Sequence, residues 1–275
     1  MKEGTLKKIQ AKLELVTQKW WFFLFFILLQ FIPSYTSKGH EWAEEGMVIR
    51  EIFSNGIVFN CTALYPIFKI APIILVIFIL FLRNKVAPLF SVYVAITYVL
   101  FAFLQNIAVT EKYGLGIVTR NLVMFLIVAT FWFWEALAKK NDFIPQKQPL
   151  WKYWVVPLAF LAFWFPLNPD TLTPDFTPIY LLTNVAGLAF CMMTPVYLAI
   201  LTLYHPRINL STLMITRLVG IIIGFYNMLN FINPERWWLV TLHIPLLIIS
   251  IYGFILSFRK EPLEEAKRGQ ETSLR

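Results

Sequence analysis

Apolar residues run along this chain in blocks too long for ordinary core helices, separated by short polar connections. A helix needs about 20 apolar residues to cross a ~30 Å hydrocarbon core. Eight blocks reach or approach that length, at 19–34, 56–82, 86–109, 114–138, 153–167, 179–204, 211–232 and 237–258. The expected fold is an all-α polytopic integral membrane protein with about eight transmembrane helices, forming one membrane domain over residues 1–275. The first and fifth blocks fall short of a full crossing, with Trp20, Trp21, Trp151 and Trp154 placed as interfacial anchors. Between Ser34 and Asn55, Trp42, Met47, Val48, Ile49, Ile52 and Phe53 interleave with charged residues. That pattern predicts a short helix lying on the interface.

The seventh block carries a polar stripe. Thr216, Arg217, Gly220, Gly224 and Asn227 fall on one face of a helix otherwise built from Ile, Leu, Val, Phe and Met. Lipid offers such a stripe no hydrogen-bond partner, so it is expected to face protein or water. The GxxxG pair at Gly220 and Gly224 permits close helix approach. The small-polar face of the sixth block (Asn184, Gly187, Cys191, Thr194) is its expected mate.

The polar positions also suggest a duplication. Shifting the chain by 124 positions carries Asn60 onto Asn184, Arg83 onto Arg207, Asn106 onto Asn230 and Glu111 onto Glu235. A shift of 133 matches the first and fifth blocks, with Lys19 onto Lys152, Trp21 onto Trp154 and Pro33 onto Pro166. The reading is two parallel four-helix repeats, 19–138 and 152–258, followed by a cytoplasmic tail at 259–275. In transporters built from repeats the site lies between the halves, and short spans in matching positions point toward it. That is an analogy of architecture.

Composition agrees with the pattern: 58% of residues are hydrophobic and 15% charged, where soluble domains run near 45–50% and about 25%. The net charge of +8 would suit nucleic acid, but its distribution excludes that partner. Seventeen bases sort to one side of the blocks and four to the other, beside most of the acids. The positive-inside rule then places both termini in the cytoplasm, with a cell membrane, the plasma membrane, as the expected location. The basic N-terminus and first block read as a retained span rather than a removed signal peptide. Cys61 and Cys191 both sit in apolar blocks and imply no disulfide framework.

Three bases lie inside apolar blocks: Lys69, Arg120 and Arg217, with Glu135 the one acid. An ionisable group in a membrane is costly and marks function by default. With Asn184, Asn227 and His243, these three bases form the candidate ligand-binding set. Arg120, His243 and the asparagines are expected in an outer layer. With three histidines and no HExxH, GxSxG or Walker-type motif, no cofactor, metal or catalytic constellation is implied. The leading expectation is a transporter or carrier that takes an anionic or amphipathic small molecule into an outward-facing cavity between the halves. The alternatives are a membrane-embedded lipid enzyme using His243 as acid or base, and an assembly subunit whose stripe binds another membrane protein.

Overall fold

The computed structural model describes residues 3–229 and 237–258. Its helices are α1 (Glu3–Thr17), α2 (Trp20–Leu29), α3 (Glu45–Ser54), α4 (Tyr65–Leu82), α5 (Ala87–Leu100), α6 (Thr119–Ala138), α7 (Val155–Trp164), α8 (Tyr180–Thr183), α9 (Phe190–Tyr204), α10 (Leu210–Met228), α11 (Trp237–Thr241) and α12 (Ile244–Phe258). Among the described residues, five helical segments are long and apolar enough to cross a membrane: Thr62–Lys85, Ala87–Gln105, Thr119–Ala138, Leu210–Met228 and Trp237–Leu256. A sixth follows if Tyr180–Leu188 and Phe190–Tyr204, bent by 94°, count as one broken span. The first and fifth blocks give only the shorter helices Trp20–Leu29 and Leu150–Trp164. Phe165, left-handed at φ 51° and followed by Pro166, stops α7. The matches at Asn230 and Glu235 and the tail at 259–275 lie outside the described residues.

The local chemistry explains most boundaries. Pro66 and Pro88 sit in the first turns of α4 and α5, where a missing N–H costs nothing. The Asn209 side chain caps α10 by accepting from the N–H groups of Ser211 and Thr212. Lys139, left-handed at φ 51°, ends α6.

The apolar blocks overran the helices at one end of the bundle. Residues assigned above to the third and fourth spans form an antiparallel hairpin instead, β2 (Ile107–Thr110) and β3 (Gly114–Ile117), with β1 (Tyr35–Thr36) on its other side. The β-branched Ile107, Val109, Thr110 and Ile117 favour a strand, and Gly114 supplies the positive φ the turn needs. Hydropathy alone does not separate the two. Helix α3, expected from its amphipathic pattern, covers this sheet through Val48 and Ile52, which are fully buried with Ala108 and Val118. A side chain at Gly116 would collide with Ile52.

Two further boundaries differ. Block two becomes helical in earnest only at Tyr65, after single 3₁₀ turns at Ile57–Asn60 and Thr62–Leu64, so Asn60 is an exposed turn residue. The glycines of α10 meet α12 rather than α9: a Cβ at Gly220 would strike Ser250, and one at Gly224 would lie 3.1 Å from the Leu247 Cα. Thr216 instead accepts the Trp132 indole N–H of α6 at 3.0 Å.

Around this bundle runs one apolar core. Phe125 stacks on Phe190 at 4.2 Å and 8°, and Phe90, Trp132 and Tyr197 meet edge to face. Mid-core hydroxyls satisfy one another, Thr97 with Tyr197 and Tyr98 with Thr194, each at 2.9 Å. An unpaired buried hydroxyl costs about 1–3 kcal/mol, so these pairs fix how α5 sits on α9.

Candidate functional site

The connections gather into two polar ends. At the acidic end, Glu45 from the start of α3 is the hub. Its carboxylate accepts from the Ser34 hydroxyl at 2.9 Å, faces His40 Nε2 at 3.1 Å, and pairs with Arg120 at 3.5 Å. His40 Nδ1 in turn meets the Thr36 hydroxyl at 3.0 Å. Arg120 also donates to the Gln30 carbonyl at 3.3 Å and lies 5.6 Å from the Tyr226 ring centroid. Because β3 precedes it, Arg120 stands in the first turn of α6, not several residues down the span. An acid from α3 therefore meets Arg120, a base that is largely but not fully shielded.

Lys69 and Asn184 come together at the end of α7. Lys69 is fully buried, donates to the Phe163 carbonyl and sits 4.4 Å from the Phe163 ring centroid. Asn184 donates to the carbonyls of Trp164 at 2.8 Å and Phe165 at 3.0 Å, and accepts from Ala186 N–H. The last carbonyls of a helix have no partner within it and carry partial negative charge. An ammonium and an amide fill that vacancy here. Gly187 packs so closely behind them that a Cβ would lie 2.6 Å from the Phe68 carbonyl oxygen.

Arg217 is elsewhere. It is fully buried in α10, donates to the Gly253 carbonyl of α12 and to Met214 Sδ, and has the Phe254 ring 5.6 Å away. Its Nε has no hydrogen-bond partner among the described residues. Asn227, one residue past the Tyr226 that Arg120 covers, donates to Ile223 O at 2.9 Å and to Cys191 Sγ at 3.5 Å. His243 lies between α11 and α12, just before Pro245, with Nδ1 2.7 Å from the Leu239 carbonyl. The six candidates thus occupy four places: the end of α7, the α10–α12 interface, the α11–α12 break, and the acidic end of α6 and α10. Each one touches protein groups.

Residues outside the candidate ligand-binding set hold the basic end together. Glu135, 1% exposed, accepts from Asn209 Nδ2 at 2.6 Å and from Asn141 N–H at 2.7 Å. Gln10 of α1 donates to Asn209 Oδ1 at 2.8 Å and accepts the Trp134 indole N–H at 2.6 Å. Lys140 binds Glu14 at 2.8 Å. Asn84 donates to Asp142 at 2.8 Å, and Arg207 pairs with the same carboxylate at 3.6 Å. These contacts join α1 and the connections 83–85, 139–148 and 205–209 into one layer.

At this end a cleft of about 200 Å³ opens between α4 and α9, mostly apolar and partly open at the surface. Val76, Ile79 and Leu80 line it from α4, and Ile200, Leu203 and Tyr204 from α9. Gln146, Gln148 and Tyr153, from the connection between α6 and α7, supply its polar edge. Gln148 donates to the His205 carbonyl at 3.3 Å. Gln146 Nε2 is buried without a hydrogen-bond partner among the described residues. None of the six candidates lines this cleft. In the sequence each α4 lining residue stands 124 positions before an α9 lining residue.

Compared with family models, curated proteins and solved structures, the chain matches none of them.

Proposed function

We propose that this protein is a membrane carrier that holds an amphipathic, anionic small molecule between two related halves, in the cleft between α4 and α9. The observation that carries the reading is how the cleft walls pair. Val76 stands with Ile200, Ile79 with Leu203 and Leu80 with Tyr204, each pair separated by the 124 positions that carry Arg83 onto Arg207. A cavity walled by equivalent residues of two repeats is where a carrier of that architecture would bind its ligand.

The order of elements supports the same register. The turns at Ile57–Asn60 and Thr62–Leu64 correspond to α8 (Tyr180–Thr183) and the turn at Val185–Leu188. Helix α4 corresponds to α9, and α5 to α10, whose Leu210 start is one residue from the shifted Ala87. Thr119, where α6 begins, falls on His243, next to the start of α12. In this proposal the short α2 and α7 complete two four-span units, eight crossings in all, related by an axis along the membrane normal. The basic end faces the cytoplasm of a cell membrane with both termini, so the cleft opens inward. The expected outward-facing cavity is replaced by an inward-facing one, and Arg120, Lys69 and Arg217 become bonds that hold helices rather than ligand contacts.

Cleft filling tests this. Ile200→Trp and Val76→Trp each put an indole where the ligand would lie, from opposite halves. In proteoliposomes both variants should lose uptake of a fluorescent anionic amphiphile while keeping the wild-type unfolding midpoint. Wild-type uptake in both variants would overturn the proposal.

A further inference from the structure

We infer that the occupant of the α4–α9 cleft is a long-chain carboxylate, with its alkyl chain between the two helices and its head at the basic end. The inference rests on the cleft being the binding site proposed above, and names the class of ligand. The first observation is size. At about 200 Å³ the cleft is smaller than the ~300–1,000 Å³ of sites that enclose a compact ligand. Being apolar and partly open, it suits a segment of a linear chain whose remainder lies outside.

The second observation is an unused donor. Gln146 Nε2 sits in the cleft wall, buried and without an acceptor among the described residues. A buried amide N–H without an acceptor is destabilising, so an acceptor that reaches it is favoured, and a carboxylate is acceptor-only.

Charge is the third. Leu80 leads directly to Arg83 and Lys85, both exposed, and Lys147 stands exposed between Gln146 and Gln148. Arg83 is close enough to Tyr204, a cleft residue, to act on it electrostatically. Among the described residues no ion pair takes up Arg83, Lys85 or Lys147. Three acids of this layer are already engaged: Asp142 by Asn84 and Arg207, Glu14 by Lys140, Glu135 by Asn209 and Asn141. Among the described residues the connections beside the cleft therefore carry uncommitted positive charge next to an apolar slot. None of these bases lines the cleft itself, which suits the single charge of a carboxylate better than the convergent cluster a phosphate monoester takes.

The test uses the full chain in nanodiscs of zwitterionic lipid. The probe is a photoactivatable long-chain fatty acid with a diazirine in its alkyl chain, alongside its methyl ester, and labelled peptides are mapped. The fatty acid should label α4 and α9 around Val76–Leu80 and Ile200–Tyr204, and Ile200→Trp should abolish that labelling. Unlabelled fatty acid should compete better than an alkyl phosphate of the same chain length. Arg83→Gln and Lys147→Gln should each weaken fatty-acid labelling about fivefold, the value of one basic group near a membrane surface, and leave ester labelling unchanged. Labelling of α4 and α9 that is equal for acid and ester and indifferent to Arg83→Gln, or stronger competition by the alkyl phosphate, would overturn the carboxylate assignment and leave the cleft intact. Labelling scattered over lipid-facing helices and unaffected by Ile200→Trp would overturn the cleft itself.

Discussion

The Arg120 guanidinium stands 3.5 Å from the Glu45 carboxylate, both side chains largely shielded from solvent. The pair ties the first turn of α6 to α3, and Glu45 extends the tie to Ser34 and His40. Arg120 is therefore read as a clasp. Arg120→Ala and Glu45→Ala should each lower stability in detergent, with a coupling of about 1–2 kcal/mol in a double-mutant cycle. Amphiphile binding should be unchanged in both. Lost binding in an Arg120→Ala protein that remains folded would return Arg120 to the ligand site.

Lys69 offers a similar contrast. Its ammonium fills the carbonyl end of α7 beside Asn184. Lys69→Ala would leave the Phe163 carbonyl orphaned and a void along the stem, a loss of about 2–5 kcal/mol. Lys69→Met keeps the stem and removes the cost of a buried charge, so it should recover much of that loss. Unfolding midpoints in detergent give the comparison. If Lys69→Met folds well yet loses amphiphile binding, the ammonium serves the ligand and not the helix end.

Two glycines should respond differently to the same substitution. At Gly187 the obstacle is backbone, since a Cβ would lie 2.6 Å from the Phe68 carbonyl oxygen. Gly187→Ala should therefore cost about 1–3 kcal/mol and disturb the seat of the broken span on α4. At Gly220 the obstacle is the Ser250 side chain, whose Oγ has no hydrogen-bond partner among the described residues and can rotate aside. Gly220→Ala should cost less than about 1 kcal/mol. Equal losses at the two positions would contradict this picture of the contacts.

Asn209 serves two structures at once, capping α10 and donating to the buried Glu135. Asn209→Ala should remove about 1 kcal/mol of cap and a further ~1–3 kcal/mol by stripping a donor from a buried carboxylate. Asn209→Asp keeps the cap but sets two acids side by side, and should be no better. Thermal unfolding of the two variants checks the ranking.

How far the sequence carries can be argued from these residues. Hydropathy is a sum over many positions, so the long helices α4, α5, α6 and α10 stand out from it, as does the amphipathic α3. It does not distinguish a strand from a helix in a short apolar stretch, which is why Ile107–Val109 and Gly114–Ile117 read as the ends of two membrane spans. Charge inside an apolar block singled out Lys69, Arg120 and Arg217 as ligand contacts; Lys69 and Arg217 are fully buried and Arg120 largely shielded, each against protein groups. What it lacked was the partner. Glu45 is 75 positions from Arg120, Phe163 is 94 from Lys69, and a backbone carbonyl leaves no trace in composition. The cleft was hidden for the opposite reason. Its helical walls are Val, Ile, Leu and Tyr, which carry no charge to mark them, although Val76 and Ile200 stand 124 positions apart as Asn60 and Asn184 do.

The most direct measurement is protection of the cleft wall. With Cys61 and Cys191 replaced by serine, Ile200→Cys places a thiol in the cleft and Leu89→Cys one on an exposed position of α5. Alkylation rates are compared with and without a saturating long-chain fatty acid. The account predicts slowed alkylation at position 200, an equal slowing for Val76→Cys on the opposite wall, and no change at position 89. Equal rates with and without fatty acid at positions 76 and 200 would contradict it.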